Sequence, residues 1–122
     1  MLRLLCADDE ADLRVILELA LSLDPGIRAE IVPSGLELLV RARAGEHDAF
    51  LLDGMMPELD GYETCRRLKA DPATAHLPVV FLTAKTQRTE QERALALGAA
   101  ACLTKPFDPL TLAAEIRAAL AC

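Results

Sequence analysis

Ala49-Phe50-Leu51-Leu52-Asp53-Gly54-Met55-Met56-Pro57 reads as a buried strand that stops at a carboxylate. Four apolar residues without alternation fit a strand covered on both faces, as in a parallel sheet with helices on either side. Moving outward, the same unit recurs. Short apolar runs at residues 3–7, 28–32, 79–82 and 100–103 are strand-sized, and stretches of helical periodicity separate them. The alternation predicts an α/β domain of five parallel strands with five crossover helices.

The helices carry their own punctuation. Leu13, Ile16, Leu17, Ala20 and Leu21 share one face of the first, which Pro25-Gly26 closes. Ser34 is the expected N-cap of a second that ends near residue 44. Asp60 with Glu63 three residues on gives a capping-box-like start to the third, whose end falls near Asp71-Pro72. The fourth spans about 89–97 and stops at Gly98. The fifth is expected to start with Asp108 as cap and Pro109 in the first helical position, turning Leu112, Ala113, Ile116 and Leu120 inward.

Composition bounds what such a domain can do. A chain of 122 residues, 52% hydrophobic and 26% charged, suits one globular domain spanning 1–122. Its net charge of -6 argues against direct nucleic-acid binding, which relies on Lys and Arg displacing counterions from phosphates. The longest uncharged apolar run, 94–103, is far short of the roughly 18 residues of a membrane span. The apolar stretch that starts at Leu2 is cut by Asp8, Asp9 and Glu10 before it could form a signal-peptide core. A cytoplasmic location is the resulting expectation. Cys6, Cys65, Cys102 and Cys122 have no paired spacing for zinc or a dithiol centre, so ordinary thiols are expected. His47 and His76 are expected outside the acidic edge, as loop or surface residues.

The polar residues gather at one end of this plan. Asp8 and Asp9 follow the first strand, Asp53 ends the third, Thr83 ends the fourth and Lys105 follows the fifth. In a parallel sheet those ends share the edge at which ligands bind. Three carboxylates there would repel, each close pair costing on the order of 4 kcal/mol at about 4 Å and an effective dielectric near 20. A hard divalent cation relieves this. Magnesium suits a few carboxylates completed by waters and phosphate oxygens. Lys105 adds a mobile positive charge and Thr83 a hydroxyl donor, a set able to support Asp53 as a nucleophile in phosphoryl transfer.

Taken singly, each residue has an ordinary explanation. Asp8, Asp9 and Glu10 suit the start of a helix. Thr83 is a common strand residue. Lys105 before Pro106 marks a bend, and Asp53 before Gly54 a turn. Their joint placement on one sheet edge is what those explanations leave over.

The chain resembles a response-regulator receiver domain of two-component signalling, similar to chemotaxis regulators, over essentially all of its length. The resemblance rests on Asp8-Asp9, on Asp53-Gly54-Met55-Met56-Pro57 with Asp60-Gly61 behind it, on Leu82-Thr83-Ala84 and on Lys105-Pro106-Phe107. It implies a flavodoxin-like doubly wound sheet of strand order 2-1-3-4-5. It also implies that Asp53 receives a phosphoryl group from a phosphohistidine on a sensor histidine kinase or histidine phosphotransfer protein. Asp9 and Asp53 would bind Mg2+ directly, Asp8 largely through water, and Met55 through its backbone carbonyl. Lys105 would pair with Asp53 or the phosphoryl group, Thr83 would swing toward it, and the Lys105-Pro106 bond would be cis. A downstream effector protein or output domain would read the switch, with room for a phosphorylation-dependent dimer. Such a protein is a phosphoacceptor assisting its own phosphorylation and dephosphorylation, not a conventional enzyme.

Two positions depart from the family pattern. Cys102 stands where an aromatic ring usually moves with the strand-four hydroxyl, so output is expected through the loop after Thr83 and the fourth helix, or another face. Gly54 replaces a branched apolar residue, with a looser loop beside the phosphate as the expectation. Lys85, two residues past Thr83, falls where side chains affect water access to the phosphate. A haloacid-dehalogenase-like phosphatase needs a second aspartate where Met55 stands, and neither a P-loop nor a GxGxxG motif occurs. A receiver fold serving as an unphosphorylated docking or scaffold domain is the remaining alternative.

Overall fold

The computed structural model describes residues 1–84 and 88–121; Lys85 and Cys122 lie outside the described residues. Along the chain run β1 (Leu2–Ala7), α1 (Ala11–Ser22), β2 (Ile27–Val32), α2 (Gly35–Ala42), β3 (Ala49–Asp53), α3 (Gly61–Ala70), β4 (Val79–Ala84), α4 (Arg88–Ala96), β5 (Ala101–Lys105) and α5 (Leu112–Leu120). All strand pairs are parallel, in the order β2-β1-β3-β4-β5. The doubly wound arrangement predicted above is the one observed. After β2 the chain returns past β1 to lay down β3, so the winding direction reverses between β1 and β3.

The uninterrupted apolar strands supply two cores at once. Along the three central strands, Leu4 and Cys6, Ala49 and Leu51, and Val80 and Leu82 face a core closed by Leu17, Ala20 and Leu21 of α1 and Leu112 and Ile116 of α5. The alternate residues Leu5 and Ala7, Phe50 and Leu52, and Val79 and Phe81 face a second core closed by Leu38 of α2, Tyr62, Cys65 and Leu68 of α3 and Ala94 of α4. Because side chains alternate along a strand, a strand with both faces covered has no polar position to give up until its end. Asp53 is that end.

Helix starts follow local chemistry. Ser34 Oγ accepts from Glu37 N (3.1 Å) and Asp60 Oδ1 from Glu63 N (2.8 Å), capping α2 and α3 as expected. Glu63 does not reach back to complete a capping box; its carboxylate binds Arg66 and Arg67 one turn on, the stronger partners within reach. Gly98 closes α4 with φ +98°. At α5 the structure departs from expectation. Asp108 Oδ1 accepts from Leu110 N (2.9 Å) and its carbonyl from Thr111 N (3.1 Å), so residues 108–111 form a turn and the regular helix starts at Leu112. His47 departs too. It lies in the loop before β3, but its ring is tucked in at 7% side-chain exposure, with Nε2 3.0 Å from Glu30 Oε1.

Candidate functional site

Register places the polar residues. Ala7 pairs with Leu52, so Asp8 and Asp53 come next to each other at the carboxyl ends of β1 and β3. Asp53 pairs with Leu82, which puts Thr83 one residue further along β4, and Ala84 pairs with Lys105. Four neighbouring chain segments thus deliver one acidic pocket together with Lys105.

Carboxylate oxygens of Asp8, Asp9 and Asp53 lie within 4.8 Å of one another. Asp8 is 1% and Asp53 6% exposed, and Asp9 is the most accessible of the three. Lys105 Nζ stands 3.1 Å from Asp53 Oδ2 and 3.5 Å from Asp8 Oδ2. Its ammonium offsets part of the repulsion among carboxylates removed from water. Asp53 Oδ1 accepts from Met55 N at 3.1 Å, which orients the carboxylate. Burial lifts the Asp53 carboxyl above its ordinary range; Lys105 and the Met55 N–H pull it down, and the Asp8 charge pushes it up again. Ionised Asp53 is therefore held under tension that a further cation would release.

The remaining groups close the frame. Asp8 Oδ1 accepts from Glu10 N (2.9 Å) and the Asp8 carbonyl from Arg14 Nη1 (2.9 Å), so α1 fixes the loop carrying both acids. Thr83 is 3% exposed, yet its Oγ1 has no hydrogen-bond partner among the described residues. A buried hydroxyl without a partner is rare, and this one belongs to the residue at the pocket's edge. The Lys105-Pro106 peptide is cis, as expected. Met55 lies in the loop after β3 with its side chain exposed.

Magnesium fits this donor set. The clustered side-chain ligands are all hard carboxylate oxygens, and the charge to be balanced is concentrated there. Asp8, Asp9, Asp53, Thr83 and Lys105 are thus brought to one place. The sequence reading missed Arg14, whose signal is a basic residue one turn into the helix that follows the acidic pair. It also missed the part of Tyr62, whose ring lies against Gly54: a Cβ on Gly54 would stand 2.8 Å from Tyr62 Oη. The absent side chain is filled space, not the looser loop expected.

Comparison with known proteins agrees with the site. The family profile described as response regulator receiver domain matches residues 4–117. The response regulator PleD of Caulobacter vibrioides is 40% identical over 116 residues, covering 94% of this chain and 25% of that protein. The phosphate regulon transcriptional regulatory protein PhoB of Rhizobium meliloti is 36% identical over 113 residues, covering 93% of this chain and 49% of PhoB. The chain therefore spans a quarter to a half of the length of these curated relatives. Among solved structures, a putative response regulator from Chloroflexus aurantiacus superposes with TM-score 0.90 at 32% identity, over 98% of both chains. The chemotaxis protein CheY4 of Vibrio cholerae gives 0.88 at 28% identity, also over 98% of both. Phosphorylation and Mg2+ binding at an acidic pocket are general to this family, whose members interact with histidine kinases and output domains. No helix among the described residues is long and apolar enough to cross a membrane. With its matching profile, its fold and an acidic pocket at the switch point of the sheet, the chain belongs to the family of response regulator receiver domains of two-component systems.

Proposed function

We propose that Asp53 accepts a phosphoryl group from a phosphohistidine donor with Mg2+ bound at Asp8, Asp9, Asp53 and the Met55 carbonyl, and that this switches binding to a downstream partner. The observation that carries the reading is the position of Asp53: a buried carboxylate 3.1 Å from Lys105 Nζ, clustered with two further acids and next to an unpartnered Thr83 hydroxyl.

In the transfer, an Asp53 carboxylate oxygen forms a bond to phosphorus as the phosphorus–nitrogen bond to the donor imidazole breaks. Met55 N–H holds Asp53 Oδ1 in place. Lys105 balances negative charge on Asp53 and then on the phosphoryl oxygens, where electrostatic support is most effective. Thr83 Oγ–H donates to a phosphoryl oxygen, which gives the buried hydroxyl its missing partner. Mg2+ held by Asp8, Asp9 and Asp53 would supply further positive charge for the transfer. Water attacking phosphorus reverses the modification and releases inorganic phosphate, so the domain assists its own phosphorylation and dephosphorylation without turning over a separate substrate. A sensor histidine kinase or histidine phosphotransfer protein is the proposed donor, and an effector or output domain the proposed reader.

Intact-mass measurement with acetyl phosphate or beryllofluoride tests this. A magnesium-dependent adduct on the native chain that Asp53→Asn lacks is the expected result. An adduct of equal yield in Asp53→Asn, or none on the native chain, overturns the reading.

A further inference from the structure

α1 and α2 each show solvent an apolar row that the two cores do not use. α2 buries Gly35, Leu38 and Ala42 and leaves Leu36 and Val40, one turn apart on its other side, exposed, Val40 at 71%. α1 buries Leu17, Ala20 and Leu21 and leaves Val15, Leu19 and Leu23 exposed at i, i+4 and i+8, a continuous stripe along the helix. Single exposed apolar side chains are common, but rows of them mark contact surfaces.

The two rows differ in charge. Beside the α2 row, α2 and α3 form a trough of about 360 Å3 lined by Leu39 and Leu68 and by Arg43, Arg66 and Arg67. Arg66 and Arg67 share one carboxylate, that of Glu63, through Nε at 2.9 and 3.0 Å. Arg43 has no ion pair among the described residues. Asp71 also lines the trough, with its Oδ1 engaged by Ala73 N at 2.9 Å. Three arginines against two acids leave the trough positive in a chain of net charge -6. On α1 the flanking residues are acidic: Asp12 lies one turn before Val15 and Glu18 beside Leu19, both exposed. Arg14, the basic residue of that helix, is turned to the Asp8 carbonyl. Arginines near a helix C-terminus are ordinary. An apolar row beside them, matched by an apolar row with acids on another helix, is not explained by helix stability.

We propose that a second copy of this chain docks here: α1 of one copy lies across the α2–α3 trough of the next, with Val15 and Leu19 against Leu36, Leu39 and Val40, and Asp12 and Glu18 meeting the arginines. An amphipathic helix that presents apolar anchors one turn apart to a groove is a recurring recognition mode, and opposite charges on the rims select the partner and fix its register. α1 packs on one face of the sheet and α2 and α3 on the other, so a copy cannot fill its own trough and the two patches in contact are unlike. Such a heterologous interface leaves a free α1 at one end of the assembly and a free trough at the other, and association passes beyond a dimer into a chain or a ring. The contact needs neither Mg2+ nor a modified Asp53.

Sedimentation velocity on the full chain over a concentration series tests this, with two variants that each break one patch at exposed positions. One carries Val15→Lys and Leu19→Lys on α1, the other Val40→Glu and Arg43→Glu at the trough. Circular dichroism and urea midpoints check that each folds, and Leu19→Ser and Arg43→Gln replace a pair that does not. The native chain is expected to sediment faster as concentration rises and to pass the dimer, with added salt weakening the association because the charged rims are exposed. Each variant alone should need at least about tenfold more protein to associate. An equimolar mixture of the two should form a 1:1 dimer that grows no further, since one supplies an intact trough and the other an intact α1. A native chain that stays monomeric throughout, an association that neither variant weakens, or a mixture no more associated than its components overturns the proposal.

Discussion

A methyl group on Gly54 would stand 2.8 Å from Tyr62 Oη and 3.1 Å from Tyr62 Cζ, so the ring at the start of α3 occupies the space that a side chain after Asp53 would fill. The ring cannot retreat freely, since Phe81 stacks on it and Arg93 covers it. Gly54→Ala is therefore expected to destabilise the fold by about 1–3 kcal/mol through overpacking. Tyr62→Phe removes the nearest atom, and the double variant should recover at least about 0.5 kcal/mol relative to additivity in urea denaturation.

Lys105 is the cation shared by Asp53 and Asp8 at 3.1 and 3.5 Å. Lys105→Ala leaves two nearly buried carboxylates without it, and a loss of about 3 kcal/mol is expected in metal-free buffer. Adding Asp53→Asn should restore part of that loss, because one of the unbalanced charges is gone. Denaturation of the single and double variants measures both effects.

Mg2+ binding is a stability change that can be read without any phosphodonor. At ten times its dissociation constant, Mg2+ should stabilise the native chain by about 1.4 kcal/mol by mass action. Asp53→Asn keeps the side-chain shape but loses one anionic ligand, so its thermal midpoint should respond much less. In metal-free buffer at neutral pH the same variant should be more stable than the native chain, since burial disfavours the Asp53 charge.

Asp24, in the turn after α1, is bound by Arg117 of α5 and by Gly26 N at 2.8 Å. Arg117 is the main reason that the Asp24 pKa lies below its ordinary 3.8, with the Gly26 bond next. A depressed carboxylate stabilises the fold above its unfolded pKa and loses that contribution as pH falls through the folded one. Arg117→Ala should therefore be less stable than native at pH 7, with the difference shrinking below about pH 4 as Asp24 protonates in both. Urea midpoints across that range give the measurement.

The strand runs were legible because a doubly covered sheet leaves apolar residues at every position, and Asp53 and Thr83 stood out as the polar residues where those runs stop. The acidic pocket followed from topology, since strand ends in a parallel sheet must meet. The start of α5 was not legible: Asp108 can cap a helix or a turn, and the bond from Leu110 N to its side chain selects the turn. Glu63 likewise has helix-capping character, which two arginines one turn away override. His47 looks like a surface residue until Glu30, far away in sequence, supplies the partner that lets its ring turn in. Gly54 could not be read without Tyr62, because a missing side chain says nothing about what fills its place.

The central claim is that Asp53, among three clustered aspartates, is the one that takes the phosphoryl group. An acyl phosphate is reduced by borohydride to an alcohol, converting the modified aspartate to homoserine. Acetyl phosphate with Mg2+, followed by borohydride and peptide mass mapping, should place homoserine at residue 53 alone. Homoserine at Asp8 or Asp9, or none anywhere, would contradict the account.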